Sequence, residues 1–199
     1  VIYISTPINT HSEWSKKATT AGKHVYVEKS STYDLKSAKE MVESAKENNV
    51  RLMEGFMFRF HPQHQKVREL IEEKKIGEIS SFNGIFGFPA FPEGDIRYSS
   101  ELGGGFLNDT GCYPICASRM IFDEEPYEAF GKLFFNEKFC DLSGSAILFY
   151  KNGKTATYNH DKVYSIMRDK LEAMACWAKY KSYTSSGNLP MSVRNEDIA

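Results

Sequence analysis

The chain up to residue 56 alternates between short apolar runs and longer amphipathic segments, and this alternation constrains the fold more than any other feature. Three strand-like runs and two helical segments follow one another at 1–5, 11–21, 24–27, 35–48 and 50–56. Gly22 ends the first helical segment, and Asp34 is suited to cap the second. Strands that alternate with helices form a parallel sheet with right-handed crossovers, so the sequence predicts a βαβαβ unit.

Beyond residue 60 the pattern changes to helices followed by several strands. Pro62 begins one helix, and another follows a run of glycines and continues to about Phe122. Further segments are predicted as strands at 79–88, 129–135, 143–150 and 155–158, and as a helix at 168–182. Asn152-Gly153 is typical of a hairpin turn. The fold class is therefore α/β plus α+β, with an α/β domain at 1–60 and an α+β domain at 61–199 whose open sheet is mostly antiparallel.

The composition excludes several classes of protein. The 199 residues are 41% hydrophobic and 26% charged, with a net charge of −1, which is ordinary for a globular protein and gives no support for nucleic-acid binding. No apolar stretch approaches the roughly 20 residues that span a bilayer, and the start lacks the basic region of a signal peptide. We therefore predict a cytoplasmic protein with no nucleic-acid or membrane partner.

The cysteines and histidines do not follow metal-binding patterns. Four cysteines, whose spacing matches neither a zinc site nor a redox pair, are predicted to be reduced packing residues: Cys112, Cys116, Cys140 and Cys176. His61 and His64 are three residues apart but have no acidic residue at helical spacing. We predict no metal site.

The first candidate site is the segment from Ser5 to His11, where a predicted strand ends and a helix begins. Ligands bind at this edge of open α/β sheets, and the hydroxyl and backbone N–H groups there can hold a phosphate or a ribose. The alternative is a turn that only connects two elements.

The second candidate site is the end of the next strand, where Glu28 and Lys29 reach the same sheet edge. A lysine there can donate hydrogen bonds to a substrate hydroxyl and to a cofactor ribose. Its charge also favours deprotonation of a hydroxyl that loses hydride. The alternative is a surface ion pair between the two side chains.

The third candidate site runs from Gly103 to Pro114 and contains three consecutive glycines, which let the backbone approach a ligand closely. Asp109 and Tyr113 are four residues apart, so a regular helix points both side chains the same way. A carboxylate beside a phenol is a suitable pair for proton transfer. The alternative is a glycine loop followed by an acidic residue that the helix dipole favours.

The order of these motifs resembles the Gfo/Idh/MocA oxidoreductases. It comprises a Thr-Pro…His turn, a Glu-Lys pair at the next strand end, the segment Arg59–Pro62, and a G-G-G…D-x-G-x-Y segment. The resemblance extends from Val1 to about Gly153. Many members have His where this chain has Tyr113, so it is more similar to the branch with glucose-fructose oxidoreductase, dihydrodiol dehydrogenase and xylose dehydrogenase.

The resemblance implies an NAD- or NADP-dependent enzyme that transfers hydride to or from a sugar or polyol. The implied catalytic residues are Lys29, Asp109 and Tyr113, with Tyr113 as the acid/base. The implied cofactor contacts are Thr6, Pro7, His11, Glu28, Lys29 and Arg59. The family usually assembles through the open sheet of its second domain, which implies a homo-oligomer.

The sequence also departs from the family pattern. It has no G-x-G-x-x-G turn, Ser30 replaces the proline that follows Glu-Lys, and Ile8 stands where many members have Asn. We therefore expect the C-terminal half of a Rossmann-like sheet in an N-terminally truncated chain, which alone binds NAD(P)H weakly or not at all. The alternative is a catalytically inactive relic or an assembly subunit of the same fold.

Overall fold

The computed structural model describes residues 1–88, 91–137 and 140–161, which form two sheets with helices packed on them. The elements of the first part are β1 (Ile2–Ile4), α1 (Ile8–Thr20), β2 (Val25–Glu28), α2 (Leu35–Glu47) and β3 (Leu52–Gly55). Those of the second part are a 3₁₀ helix (Met57–Phe60), α3 (Pro62–Glu72), β4 (Ser81–Gly87), a π turn (Leu107–Gly111), α4 (Cys112–Phe122), β5 (Glu128–Phe135), β6 (Asp141–Phe149) and β7 (Thr155–Asp161).

The first sheet is parallel, with the strand order β1-β2-β3. Ile2 lies opposite Val25, and Val25 lies opposite Leu52. Apolar side chains from the strands and both helices form one core beneath the sheet: Ile4, Ala18, Val25, Val27 and Met41. The predicted βαβαβ unit is confirmed.

The two helices of this unit begin in different ways. Helix α1 begins at Ile8, three residues before the predicted start. Pro7 occupies its N-cap position without a side-chain cap, and the Pro7 carbonyl accepts a hydrogen bond from Thr10 Oγ1 at 2.8 Å. Asp34 caps α2 as predicted, and its Oδ1 accepts from the Ser37 N–H at 2.8 Å. The β1 and β2 strands therefore both end immediately before a polar segment at one sheet edge.

The second sheet has the order β4-β7-β6-β5, in which only β4 and β7 are parallel. The prediction of a mostly antiparallel sheet is confirmed. Asn152 and Gly153 turn the chain between β6 and β7 with φ angles of 58° and 74°, in the left-handed region that Asn and Gly tolerate best.

One face of the second sheet packs against α4 and the other lies open. The packed face forms a second core: Phe122, Leu148, Tyr150, Ala156 and Tyr158. On the open face Phe130 is 74% exposed and Ile85 is 60% exposed. Helix α4 packs on this sheet at both ends, since Pro114 lies against Gly84 and Phe122 belongs to the second core. Tyr113, near its N-terminal end, faces Lys29 at the polar edge of the first sheet.

The segment before α4 differs from the predicted regular helix. It begins with a π turn, and the α-helix starts only at Cys112. Pro114 has no N–H to donate to the carbonyl of Thr110, so a regular helical ladder is interrupted at this position. π turns of this kind are frequently found at functional sites.

The remaining predictions concern the cysteines, a helix at 168–182 and membrane spans. Cys112, Cys116 and Cys140 are free thiols, as expected. The predicted helix at 168–182 and Cys176 lie outside the described residues. None of the helices in the described ranges has both the length and the apolar character that a bilayer crossing requires.

Candidate active site

A cavity of about 230 Å³ lies at the carboxyl ends of β1 and β2, and we call it the strand-end cleft. One wall comes from the first sheet and the other from the segment around the glycines. The lining residues are Ser5, Thr6, Pro7, Ile8, His11, Glu28, Lys29, Ile96, Arg97, Leu102, Gly103, Gly104, Gly105 and Asp109. All three candidate segments of the sequence therefore meet at this cleft.

The first segment forms the turn into α1. His11 is buried, with Nε2 2.7 Å from the Thr6 carbonyl oxygen and Nδ1 3.0 Å from the Ser30 carbonyl oxygen. Both ring nitrogens thus face backbone oxygens, and His11 joins the ends of β1 and β2. The Thr6 and Ser5 hydroxyls and the first N–H groups of α1 are the donors that this side offers.

Lys29 connects the first sheet to the π turn. Its Nζ lies 2.6 Å from Asp109 Oδ1 and 2.7 Å from the Asp109 carbonyl oxygen. Only 18% of the Lys29 side chain is exposed. Glu28 instead accepts a hydrogen bond from the Tyr3 hydroxyl at 2.6 Å, so the expected alternative of a Glu28–Lys29 surface ion pair is wrong.

Asp109 is held between two cations. Its second oxygen accepts from Arg97 Nε at 2.6 Å, while Arg97 Nη1 lies 3.1 Å from Asp95 Oδ1. Burial raises the pKa of the Asp109 carboxyl, but the hydrogen bonds and charges of Lys29 and Arg97 outweigh burial and hold that pKa below its ordinary value. The site therefore contains a fixed carboxylate.

Tyr113 lies on the other side of Lys29. Lys29 Nζ is 5.2 Å from the centroid of the phenol ring, which packs against Phe56, Phe58 and Phe86 at centroid distances of 5.6, 5.6 and 5.0 Å. Burial raises the pKa of the phenol, and the positive charge of Lys29 offsets only part of that rise. The phenol therefore keeps its proton at neutral pH.

The neighbouring thiol is not a competing nucleophile. Burial raises the pKa of Cys112 to about 11, so that side chain stays a neutral thiol. Its sulfur lies 3.8 Å from the Asp109 carbonyl oxygen. A thiolate is the reactive form of cysteine, so Cys112 is not a nucleophile at neutral pH.

The consecutive glycines are required by the packing of the protein itself. A Cβ at Gly104 would lie 2.6 to 2.8 Å from the carbonyl oxygens of Ile96, Arg97 and Ser99. Gly105 has a φ of 115°, and a Cβ there would overlap Asp141 Oδ1. The glycines line the cleft, but this steric requirement is a cause that the sequence pattern did not reveal.

Ser30 contacts the same turn as Lys29. Its hydroxyl donates to the Asn108 carbonyl oxygen at 2.7 Å, and the peptide bond between Lys29 and Ser30 is cis. Proline could not donate this hydrogen bond. With Ser30 at this position, the Lys29 side chain is directed at Asp109.

The structure does not bring Arg59 to the strand-end cleft. Arg59 lines a second cavity with Arg68 and Arg119, behind α4. Conversely, Arg97 belongs to the site although the sequence analysis did not select it. It lies in a short 3₁₀ helix (Ile96–Tyr98), 12 residues from its partner Asp109, and no sequence signal identifies that contact.

Two family profiles match the chain. Residues 1–56 match the profile described as "Oxidoreductase family, NAD-binding Rossmann fold", and residues 64–172 match "GFO/IDH/MocA C-terminal domain". The chain belongs to the Gfo/Idh/MocA oxidoreductase family. The predicted resemblance is confirmed, and so is the predicted fold class.

Several characterised Gfo/Idh/MocA proteins are similar to this chain. A dTDP-3,4-didehydro-2,6-dideoxy-alpha-D-glucose 3-reductase of Actinomadura kijaniata is 39% identical over 168 residues, which are 82% of this chain and 50% of that protein. A D-xylose 1-dehydrogenase (NADP(+)) of Haloferax volcanii is 33% identical over 159 residues, or 78% of this chain and 48% of that protein. The chain therefore spans about half the length of these relatives.

Solved structures of the family share the fold. A 3-ketoreductase of Actinomadura kijaniata, in complex with NADP and TDP-benzene, has a TM-score of 0.73 and 39% identity, and the match covers 81% of this chain and 50% of that one. An aldose-aldose oxidoreductase of Caulobacter crescentus, complexed with glycerol, has a TM-score of 0.74 and 26% identity over 79% of this chain and 49% of that one.

The strand-end cleft fits part of a nicotinamide dinucleotide. Its donors are the Thr6 and Ser5 hydroxyls, the Lys29 ammonium and the first N–H groups of α1, and these suit the oxygens of a ribose or a phosphate. Its volume of about 230 Å³ is below the roughly 300–1,000 Å³ of complete small-molecule sites. The cleft is therefore smaller than a site that encloses a whole dinucleotide.

Proposed function

We propose that the protein containing this chain is an NAD(P)-dependent oxidoreductase that interconverts a hydroxyl and a carbonyl group of a sugar or polyol. The observation that carries the proposal is the contact of Lys29 with both Asp109 and the Tyr113 ring beside the strand-end cleft. Family membership supports the same reaction class, because the relatives described above are named as reductases and dehydrogenases.

Tyr113 is the proposed acid/base group. Because burial raises its pKa, the phenol is protonated at neutral pH and can donate its proton to a substrate carbonyl oxygen during reduction. In the oxidative direction the phenolate that forms takes the proton of the substrate hydroxyl. The ammonium of Lys29 stabilises that phenolate from the face of the ring.

Lys29 and Asp109 have complementary roles in this proposal. Asp109 holds the Lys29 ammonium with two hydrogen bonds, and Arg97 holds Asp109 from its other oxygen. This network fixes the ammonium before substrate binds, which reduces the reorganisation needed during proton transfer. The nicotinamide, when bound, supplies or accepts the hydride.

The cofactor contacts are proposed for Thr6, Pro7, Glu28 and Lys29, all of which line the strand-end cleft. His11 supports them from beneath, with its ring nitrogens 2.7 Å from the Thr6 carbonyl oxygen and 3.0 Å from the Ser30 carbonyl oxygen. We leave Arg59 out of this set because it lines the separate cavity behind α4. The proposed cofactor is NAD or NADP.

A nucleotide-linked ketosugar is the first substrate class to examine. Two 3-reductases of dTDP-linked dideoxy sugars are 38% and 39% identical to this chain, whereas the xylose dehydrogenase is 33% identical. The aromatic rings around Tyr113 support a substrate with an apolar face, since aromatic side chains pack well on such surfaces. Free aldoses are the second class.

The proposal also concerns the extent and assembly of the protein. We propose a cytoplasmic enzyme. We also propose that this chain is one part of it, because the chain contains no G-x-G-x-x-G turn and spans about half of each relative. We further propose two domains that meet near residue 60, and homo-oligomerisation through the open face of the second sheet.

The test is turnover by the complete polypeptide that carries this sequence, with NADH and NADPH, against dTDP-linked ketosugars and free aldoses. We expect turnover that Lys29→Met lowers by about 100-fold or more in kcat/KM, because the acid/base pair loses its cation. Lys16→Met, at a half-exposed ion pair with Glu40, is the matched control and should leave turnover unchanged. Absence of turnover across the panel would support the inactive alternative, and unchanged turnover in Lys29→Met would exclude the assigned chemistry.

A further inference from the structure

Two buried polar side chains of the second sheet lie directly behind the π turn. Asp141, at the start of β6, is 8% exposed, and His160, near the end of β7, is 2% exposed. Asp141 Oδ2 lies 3.2 Å from His160 Nε2 and accepts a hydrogen bond from the Leu107 N–H at 2.6 Å. The pair therefore contacts the first residue of the π turn.

The same pair contacts both ends of the segment that carries Asp109. At Gly105, Asp141 Oδ1 occupies the space that a Cβ would need. At Gly111, a Cβ would lie 3.2 Å from His160 Nδ1. Asp109 lies between these two points, and its N–H donates to the Gly105 carbonyl oxygen at 3.0 Å.

Packing alone does not account for a histidine at this position. His160 Nδ1 is buried and has no hydrogen-bond partner among the described residues. A buried polar atom without a partner destabilises a fold, so an apolar side chain of similar size would pack here at less cost in stability. The polar choice is explained by what His160 does for the Asp141 carboxylate, which it holds in place through Nε2.

We propose that Asp141 and His160 are positioning residues, which hold the π turn so that the Asp109 carboxylate meets Lys29 and Arg97. Asp141 fixes the Leu107 end of the turn, and His160 fixes Asp141 and supports the Gly111 end. The effect of the pair on turnover rests on the proposed function, whereas its effect on Lys29 does not.

The first measurement therefore needs no enzyme activity. Trace acetylation of the complete protein, followed by peptide mass spectrometry, gives the reactivity of the Lys29 amine, with Lys16 of the same molecule as internal reference. In Asp141→Ala and His160→Leu we expect Lys29 to react several-fold faster relative to Lys16, because its ion pair with Asp109 is loosened. Asp141→Asn keeps an acceptor for the Leu107 N–H and should restore slow labelling. Asn159→Ala, beside His160 but on the exposed face, should match the unsubstituted protein.

The second measurement separates positioning from a general loss of structure. With the best substrate found in the panel, we expect Asp141→Ala to lower kcat by about 10- to 100-fold with KM for the cofactor nearly unchanged, and Asp141→Asn to recover most of that loss. A merely structural role predicts no such recovery and a change in both constants.

The outcomes are distinguishable. Faster Lys29 labelling in a protein that has no turnover would support the positioning role and count against the proposed function. Turnover with Lys29 labelling that is unchanged in Asp141→Ala and His160→Leu would overturn the positioning role alone. If Asp141→Ala does not fold, the Lys29 labelling rates of Asp141→Asn and His160→Leu are compared instead. Equal Lys29 labelling in these two variants would overturn the proposal.

Discussion

At the scale of single residues, Asp109 is the group on which the electrostatics of the site depend. It is 15% exposed in its side chain and accepts hydrogen bonds from Lys29 and Arg97 through different oxygens. Removing the carboxylate would leave two cations close together with no fixed anion between them. Its ionisation therefore contributes to folding as well as to the proposed chemistry.

We predict that Asp109→Asn weakens the dependence of stability on acidic pH. The folded-state pKa of Asp109 lies below its unfolded value, so its stabilisation is complete above the unfolded pKa and is lost as pH falls through the folded one. In urea unfolding, the free energy of unfolding of the unsubstituted protein should decrease between about pH 5 and pH 2. At neutral pH the variant's free energy of unfolding should be about 1–3 kcal/mol lower, and it should decrease less steeply with acid.

Glu13→Gln provides the control for this prediction. Glu13 pairs with Lys17 on the surface, where 63% and 58% of the two side chains are exposed and water screens the interaction. The variant should unfold at the same urea concentration as the unsubstituted protein and should keep its acid limb. An equally steep acid limb in Asp109→Asn would show that other groups cause the acid sensitivity.

Individual site residues differ in how far the sequence could predict them. Thr6, Lys29 and Asp109 follow from motifs that lie next to strand ends or glycines, and all three line the strand-end cleft. Arg97 and Asp141 do not follow from any motif, because their partners are distant in sequence. Asp109 is 12 residues from Arg97, and Leu107 is 34 residues from Asp141. Local spacing does not encode contacts that depend on how two sheets come together.

At the scale of elements, the docking of α4 on the second sheet determines where the π turn lies. Ser118 of α4 lies 2.9 Å from the Tyr150 hydroxyl, and both residues are buried. Tyr150 also packs edge to face on Phe122 with the ring centroids 4.7 Å apart. One hydrogen bond and one ring contact thus fix the C-terminal half of the helix.

We predict that Tyr150→Phe lowers the free energy of unfolding by about 1 kcal/mol, because it removes the hydrogen bond and keeps the ring. Tyr127→Phe is the control, since Tyr127 is 66% exposed and its hydroxyl can bond to water. Urea unfolding would measure both. A Ser118→Ala, Tyr150→Phe double variant should lose less than the sum of the two single losses, and strict additivity would contradict the contact.

The elements themselves were largely predictable because apolar periodicity and end signals are local. The parallel strands, the Asp34 cap and the Asn152-Gly153 turn were all expected and are present. The π turn was not, because its cause combines Pro114 within the helix with the carboxylate of Asp141 from another strand. The sequence placed Asp109 and Tyr113 on one regular helix face, whereas the structure brings both to Lys29 through a wider turn.

At the scale of the whole molecule, the open face of the second sheet is the surface most suited to association. Large apolar side chains on it are exposed, with Phe130 at 74% and Phe134 at 54%. Clustered apolar exposure of this kind marks interaction surfaces in many proteins. This is the surface through which we propose homo-oligomerisation.

We predict that Phe130→Glu shifts the complete protein toward the monomer in light scattering coupled to size exclusion, because a charge then faces the partner's apolar surface. Circular dichroism should stay unchanged, since Phe130 contributes little to the core. Phe60→Glu, 69% exposed on the 3₁₀ helix, is the matched control and should not change the mass. A monomeric unsubstituted protein at micromolar concentration would contradict the proposal.

The parallel pairing of β4 with β7 also has a consequence for synthesis. Ser81 lies opposite Thr155, so the strand next to β4 is the last one of the described chain to be made. Before β7 leaves the ribosome, the first sheet with Lys29 is already complete. The π turn with Asp109 still lacks both the finished second sheet and the imidazole of His160. Nascent chains released before residue 155 would therefore expose the apolar face of the unfinished second sheet to quality-control proteases, although they already contain Lys29, Asp109 and Tyr113.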